Sequence, residues 1–354
     1  MHPNVYARIH LPHIKRNIDT IKKHTGRPVI AVVKADAYGH GLERVVDYVE
    51  DDVLMFAVAN INEALRISHG RVLIFQPLSD MEEVEIAVER GFVFNLSFME
   101  QLDVISSVNS KNPARVHIEV DTGMNRTGIW YEEFPQLYDR VLRMEKSGKL
   151  RLEGIFTHFA SADLMEDDFT YIQLERFRNV LKNVKRDGLL IHAANTSASL
   201  RYPEAYFDAV RVGIGIYGVV PSGFLRNRIS LEPAMGFMGK VIQKKVLRKG
   251  ESIGYGRTFF AEEDMDVAIV ACGYADGYPW EGSGRLSVYG GGMRRRVLGR
   301  VSMDLIAVEG EGLNVGDEVE LWGRHIRVED VAEALGKIPY DLMVGIGRRV
   351  VRIY

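Results

Sequence analysis

Hydrophobic residues follow two different patterns on either side of about residue 230. From residue 28 to about 217, short runs rich in β-branched residues alternate with amphipathic stretches, which is typical of βα repeats. The runs are continuously apolar, as expected when both faces of a parallel sheet are covered. The eight strand candidates are PVIAVV, VLMFAVA, RVLIFQ, FVFNLS, ARVHIEV, RLEGIFT, LLIHAAN and VRVGIGIYG. Eight βα units predict a closed (β/α)8 barrel, and a doubly wound open sheet is the alternative.

The stretches between these runs have helical spacing. They include INEALRISHG, DMEEVEIAVER and DDFTYIQLERFRNVLKNVK. In the last of them, apolar residues recur at the three- and four-residue intervals that place side chains on one side of a helix. The residues expected on that side are Phe169, Ile172, Leu174, Phe177, Val180 and Leu181.

After about residue 230 the helical spacing nearly vanishes, and short strands alternate with glycine turns. This pattern predicts an all-β second domain over residues 231–354, following a barrel domain over residues 1–230. About the first ten residues are candidates to join the β domain instead. A chain of 354 residues agrees with two domains.

Composition and charge exclude several classes of function. The chain is 46% hydrophobic and 26% charged, with a net charge of −3, and no basic run indicates nucleic-acid binding. No apolar run approaches the ~18 residues of a membrane span, and the N-terminus lacks the apolar core of a signal peptide. Cys272 is the only cysteine, so no intrachain disulfide is expected. Together these features favour the cytoplasm.

The first apolar run ends in Lys34, within the stretch AVVKADAYGHG. As the end of the first barrel strand, this lysine lies on the face where such barrels place their chemistry. An isolated lysine there most often only extends its ammonium group into water. Gly39 and Gly41 favour a sharp turn beside it, however, and a partly desolvated lysine can form a Schiff base with an aldehyde cofactor. Tyr38 lies within reach of an anionic group such as a phosphate.

Polar residues also follow later strand candidates. VDTGMNRTG places Arg126 in a loop on the same face, where its guanidinium suits a carboxylate or phosphate. On this segment alone, an arginine in an ordinary surface loop is an equally good interpretation. His158 ends the sixth candidate, and Asn195 and Thr196 follow the seventh, where hydroxyl and backbone N–H groups suit an anion. Arg211 lies within a short apolar run, so its charge needs a buried partner.

Glycines mark three more candidate positions. Gly213 begins a G-x-G-x-x-G match, but no crossover helix and parallel strand follow it, so the match favours a phosphate site over a dinucleotide site. Tyr255 and Tyr274 lie beside glycines, where aromatic residues usually serve turns, although a tyrosine can also act as an acid or base. No spacing of His, Cys or carboxylate residues indicates a metal.

Taken together, these motifs resemble those of bacterial alanine racemases, pyridoxal-phosphate enzymes of fold type III. The resemblance covers essentially the whole chain. It rests on AVVKADAYGHG, VDTGMNRTG, THFASAD, HAANTSAS, VRVGIGIYG, IGYGRTF, GYADGY and GRVSMD, in the family's order. It implies an N-terminal eight-stranded barrel, a C-terminal β domain, pyridoxal 5'-phosphate as cofactor, and a head-to-tail homodimer with shared active sites acting on a small amino acid.

The resemblance also implies roles for individual residues. Lys34 would hold the cofactor and act as a base on one face of the substrate α-carbon, and Tyr255 from the partner subunit would act on the other. Arg211 would face the pyridine nitrogen, and His158 would link it to that tyrosine. The other implied cofactor-binding positions are Tyr38, Asn195, Thr196, Gly213 and Ile214. The implied substrate-binding positions are Arg126, Met303, Asp304 and Tyr274.

The sequence departs from the family pattern at two positions. Many members have a carbamylated lysine seven residues before the motif arginine, where this chain has Glu119. We hypothesise that its carboxylate supplies the same charge to position Arg126. Near the end, Arg348 replaces a phosphate-binding tyrosine, and we expect it to bind the phosphate as an ion pair.

Three alternatives keep the cofactor and change the function. A broad-specificity, lysine or serine racemase would differ only in its pocket residues. A non-catalytic pyridoxal-phosphate carrier would lack the β domain and its tyrosine. A decarboxylase on a related barrel would need a carboxylate at the pyridine nitrogen, where this chain offers Arg211.

Overall fold

The computed structural model describes residues 3–354. Its N-terminal part is a barrel of parallel strands. The first two residues of the predicted domain 1–230 lie outside the described range. All eight expected strands are present and pair side by side in one parallel sheet, and a bridge between His192 and Ala209 nearly closes the ring. The eight-stranded barrel is therefore confirmed.

Strands and helices are numbered here in chain order. The barrel strands are β2 (Val29–Val32), β3 (Met55–Val58), β4 (Val72–Ile74), β5 (Val93–Leu96), β6 (Ala114–Asp121), β8 (Leu150–Phe156), β9 (Leu190–His192) and β10 (Val210–Val212), with a short β7 (Ile129–Trp130) beside β6. The helices around them are α1 (Leu11–Thr25), α2 (Lys34–Tyr38), α3 (Leu42–Val49), α4 (Ile61–Ala64), α5 (Met81–Arg90), α6 (Gln101–Ser107), α7 (Phe134–Lys146), α8 (Phe169–Leu181) and α9 (Thr196–Arg201).

Two helical predictions need correction. The stretch INEALRISHG is helical only over α4, which Asn60 caps by accepting a hydrogen bond from the backbone of Glu63. On α8, Ile172 lies on the exposed side. The buried side uses Thr170 and Gln173 instead, because the Gln173 amide donates to the Thr122 hydroxyl and the His158 carbonyl. A purely apolar pattern could not identify these two polar core positions.

The C-terminal part is a curled, mostly antiparallel sheet. Its strands are β1 (Val5–Ile9), β11 (Met235–Leu247), β14 (Met265–Val270), β15 (Ser287–Gly290), β16 (Met293–Leu298), β17 (Ile306–Glu309), β18 (Glu318–Trp322) and β19 (Val351–Ile353), with a separate hairpin of β12 (Ser252–Ile253) and β13 (Phe259–Phe260). Strand β11 pairs with both β18 and β14, so the sheet curls onto itself. The chain's first strand, β1, pairs with β11 and β19 and thereby joins this sheet.

Helices α10 (Val328–Leu335) and α11 (Pro339–Val344) also belong to this part of the chain. The expectation of an all-β domain is correct for its sheet but missed these two short helices, whose apolar residues are too few to produce a long periodic pattern. Helix α11 packs against α2, so it brings the C-terminal part to the mouth of the barrel. Among residues 3–354, no helix combines the length and the apolar character that a membrane crossing requires.

Candidate active site

A cavity of about 500 Å³ lies at the C-terminal ends of the barrel strands. It brings together nine of the residues that the sequence indicated: Lys34, Tyr38, Arg126, His158, Asn195, Thr196, Arg211, Gly213 and Ile214. The charged residues around it are three cations and two carboxylates, the latter being Glu119 and Asp163. The excess of positive charge suits an anionic ligand.

Lys34 begins a left-handed turn. Ala35, Asp36, Ala37 and Tyr38 have φ angles of 52°, 55°, 54° and 53°, a conformation that L-residues rarely adopt in succession. Glu63 fastens the start of the turn, because its carboxylate accepts the Ala35 backbone N–H at 2.7 Å. A turn of this kind brings Lys34 and Tyr38, four residues apart, to the same cavity.

The Lys34 ammonium has no ion pair or hydrogen bond within the described part of the chain. Burial lowers the pKa of this amine, and repulsion from Arg126 and Arg211 lowers it further, although Glu63 acts in the opposite direction. A lysine with a lowered pKa is more often neutral near pH 7, and the neutral amine is the form that can attack a carbonyl or accept a proton.

Small residues shape the opposite wall of the cavity. A methyl group on Gly213 would lie 2.3 Å from the Tyr38 hydroxyl, so glycine is required there for the phenol to sit over the backbone. The Thr196 hydroxyl accepts the Gly215 backbone N–H at 3.4 Å. Asn195 caps α9 by accepting the Ala198 N–H at 3.0 Å. Tyr38, Asn195, Thr196 and Gly213 thus line the same cavity.

Arg211 is buried beneath the cavity, with 3% of its surface exposed. Its guanidinium donates to the Nδ1 atoms of His192 and His158, each at 2.9 Å, and to the Thr157 carbonyl at 2.9 Å. Burial lowers the pKa of Arg211 to about 10, against the favourable field of Glu119. The group therefore remains a cation at neutral pH.

Glu119 is buried, but its carboxylate bonds to neutral partners. Its Oε2 atom accepts hydrogen bonds from the Asn95 amide at 2.6 Å and the Ser97 hydroxyl at 3.3 Å. Within residues 3–354, no Glu119–Arg126 pair lies within ion-pair distance. Both residues line the cavity, so an effect of this carboxylate on Arg126 would act through the field rather than through contact.

Arg348 is exposed and is not among the residues that line the cavity of the described chain, so the phosphate contact expected of it stays a prediction. Tyr340, at the start of α11, lines the cavity instead, with its ring 6.0 Å from that of Tyr38. Sequence reasoning missed Tyr340 because the family alignment directed attention to position 348. The nearby IPYD segment, a proline at a helix start followed by an aromatic residue, was the available signal.

The remaining four candidates lie on the C-terminal part of the chain, outside the cavity that residues 3–354 form. Tyr255 is 71% exposed, and Tyr274 and Met303 are also exposed. The backbone segments of the last two lie side by side, since the Tyr274 N–H donates to the Ser302 carbonyl at 3.1 Å and the Ala275 N–H to the Met303 carbonyl at 3.0 Å. Asp304 accepts a hydrogen bond from Arg349 at 2.6 Å. These side chains are accessible to another chain but do not meet Lys34 within their own.

Comparison with known proteins adds to this geometry. Residues 9–221 match the N-terminal domain of alanine racemase, and residues 234–354 match its C-terminal domain. The chain belongs to the alanine racemase family. The predicted resemblance to alanine racemases is therefore confirmed over both halves of the chain.

Individual relatives in the alanine racemase family match almost end to end. Alanine racemase 2 of Caldanaerobacter subterraneus subsp. tengcongensis is 38% identical over 98% of this chain and 94% of its own length. The solved structure of the biosynthetic alanine racemase from Pseudomonas aeruginosa has a TM-score of 0.90 and 34% identity, covering 100% of this chain and 99% of that one. The alanine racemase of Streptomyces lavendulae has a TM-score of 0.92 and 30% identity, covering 100% and 97%.

Proposed function

We propose that this protein is an alanine racemase that uses pyridoxal 5'-phosphate to interconvert L- and D-alanine. Family membership supports the reaction class, and the named activity of its relatives supports alanine as the substrate. The observation that carries the proposal is Lys34, a lysine with a lowered pKa and no ion-pair partner among residues 3–354, which lines one cavity together with Tyr38, Thr196 and Arg211.

The cavity fits the cofactor in charge and shape. Its excess positive charge suits a phosphate, and the absence of a side chain at Gly213 lets the Tyr38 hydroxyl lie against the backbone at the cavity wall. The phosphate would be held by Tyr38, Asn195, Thr196 and the backbone N–H groups of Gly213 and Ile214. Lys34 would provide the covalent attachment, and Arg211 would hold the pyridine nitrogen.

When bound, the cofactor would withdraw electrons from the substrate α-carbon and so acidify its C–H bond. The lowered pKa of Lys34 equips its amine to accept that proton on one face and to return it. Arg211 cannot accept a proton from a bound ligand at neutral pH. It would therefore limit the electron withdrawal, which favours simple proton exchange over transamination.

Inversion of the α-carbon requires a second proton donor and acceptor on the opposite face. We assign this role to Tyr255 of the partner subunit in a homodimer, because this tyrosine is 71% exposed and lies away from the cavity of its own chain. The nearby exposed residues Tyr274, Met303 and Asp304 would approach the same site from the partner. Arg126, at the cavity mouth, would bind the substrate carboxylate.

The proposal is tested by assaying racemisation of a panel of L-amino acids with purified protein and added cofactor. Alanine should be turned over most efficiently. Lys34→Ala should abolish both turnover and the absorbance of the lysine-bound cofactor, whereas the exposed control Lys245→Ala should retain both. Selective turnover of lysine or serine, with alanine inert, would overturn the substrate assignment.

A second pair of variants tests the two-base mechanism. Tyr255→Phe should lower kcat by roughly a hundredfold or more, because it removes one acid–base group. The control Tyr48→Phe alters an exposed tyrosine on the outside of the barrel and should leave kcat unchanged. Full activity of Tyr255→Phe would exclude this tyrosine as the second base.

A further inference from the structure

Two buried histidines form a line that leads from Arg211 into the barrel interior. Arg211 Nη1 lies 2.9 Å from His192 Nδ1, at the end of β9. His192 Nε2 in turn lies 3.0 Å from His117 Nδ1, in the middle of β6. Both histidines have 0% of their surface exposed. The catalytic roles assigned above make no use of His117.

Both histidines are neutral, so each carries one ring hydrogen. Burial lowers the pKa of His117 to about 3, and burial together with repulsion from Arg211 holds the pKa of His192 well below its usual value. A neutral imidazole has one N–H donor and one lone-pair acceptor. Which ring nitrogen donates and which accepts in each hydrogen bond is therefore determined by Arg211, the first residue of the line.

Arg211 sets that order because a guanidinium only donates. His192 must accept at Nδ1, which leaves its hydrogen on Nε2. That hydrogen then points to His117 Nδ1, which must accept it. The hydrogen of His117 consequently lies on Nε2, a buried atom without a hydrogen-bond partner among the described residues.

The support of Arg211 depends on this arrangement. No carboxylate of the described chain lies within ion-pair distance of its guanidinium, which is held by backbone carbonyl groups and the two histidine Nδ1 atoms. If His192 carried its hydrogen on Nδ1, two donors would face each other at 2.9 Å. Among the described residues, His117 Nε2 has no hydrogen-bond partner, so the one hydrogen bond of this ring is the bond to His192.

We propose that His117 is a positioning residue for Arg211: by accepting the His192 Nε2 hydrogen, it fixes the His192 tautomer that receives the guanidinium. The tautomer assignment concerns the protein alone. Its kinetic consequence rests on the proposed function, since Arg211 must be oriented toward the cofactor for proton exchange.

The first test is ¹⁵N NMR of histidine-labelled protein without cofactor. His192 should have a protonated Nε2 and an unprotonated Nδ1. His117→Leu removes the acceptor and should shift His192 toward a mixture of tautomers. In His117→Asn the side chain has nearly the same shape as leucine, but its amide oxygen lies near the position of the lost Nδ1 and can accept the His192 Nε2 hydrogen. This variant should therefore restore the His192 signals. A protonated Nδ1 in the unaltered protein, or unchanged His192 signals in His117→Leu, would overturn the proposal.

The second test is kinetic. His117→Leu should lower kcat by roughly five- to fiftyfold, the range for one lost buried hydrogen bond, with KM within about twofold. His117→Asn should recover most of the loss. Ile155→Ala, a fully buried control on the neighbouring strand, should destabilise the fold without lowering kcat. If the unaltered protein has the expected tautomers but no racemase activity, the proposed function fails and the tautomer assignment stands.

Discussion

The left-handed turn after Lys34 predicts an unusual response to a glycine substitution. Four consecutive residues, Ala35 to Tyr38, have φ angles between 52° and 55°. A left-handed conformation costs an L-residue roughly 1–2 kcal/mol, so the turn stores about 4–8 kcal/mol. Glycine has no Cβ and does not carry this cost, so Ala35→Gly should release about 1–2 kcal/mol of it.

The net effect also includes the entropy that glycine loses on folding, about 0.5–1 kcal/mol. Ala35→Gly should therefore leave the free energy of unfolding unchanged or raise it by about 1 kcal/mol. The substitution retains both backbone hydrogen bonds of Ala35, from its N–H to the Glu63 carboxylate and from the Gly39 N–H to its carbonyl. The matched control is Ala334→Gly, an exposed alanine in the right-handed helix α10, which should lower the free energy of unfolding by about 0.5–1 kcal/mol.

Urea unfolding followed by circular dichroism, at one protein concentration and without cofactor, measures both variants. The two changes in free energy should differ by about 1–2 kcal/mol, which is the left-handed cost itself. If Ala35→Gly destabilises the protein as much as Ala334→Gly does, the strain argument is refuted.

Three more predictions concern buried groups near the site. Acid should destabilise the protein because burial lowers the pKa values of His40, His117 and His192. Below about pH 6.5 the unfolded chain binds protons at these residues that the folded chain does not bind. Each residue therefore lowers the free energy of unfolding by about 1.4 kcal/mol per pH unit until its folded pKa is reached, which is about 4 for His40. These three groups alone should make the free energies of unfolding in urea at pH 7.5 and pH 5.5 differ by about 4 kcal/mol, and equal stability would contradict this. Glu119→Gln should lower kcat/KM for alanine at least about tenfold, and unchanged steady-state kinetics would show that its charge is not used. Tyr340→Phe should weaken cofactor binding about fivefold in an absorbance titration, and an unchanged dissociation constant would show that its hydroxyl does not contact the ligand.

The barrel was predictable because its strands are short, continuously apolar and regularly spaced. Lys34, His158 and Arg211 were predictable as site residues for a related reason, since each lies at or near the end of such a strand. In a closed parallel barrel, the strand ends meet at one face, so position along the chain translates directly into position in space.

The remainder was not predictable because it depends on tertiary contacts. The turn at Ala35 and Ala37 is left-handed although alanine is the best right-handed helix former, so local preference points the wrong way. The link between His117 and His192 joins residues 75 positions apart on different strands. Tyr340 reaches the cavity only because α11 packs on α2, a contact between two parts of the chain that no local pattern records.

A strained turn persists only where the surrounding packing and hydrogen bonds hold it in place. The left-handed turn after Lys34 is held by the C-terminal part of the same chain. A methyl group on Gly39 would lie 2.6 Å from the Met343 carbonyl oxygen, so α11 presses directly on the end of the turn. Arg352 donates to the Gly39 carbonyl at 3.1 Å, and the Tyr354 hydroxyl donates to the His40 carbonyl at 3.0 Å. The C-terminal part therefore supports the cavity of its own chain at the turn that carries Lys34. In the homodimer we propose, it would also supply Tyr255 to the other chain, so dimer formation and the shape of the Lys34 turn would depend on one folded unit.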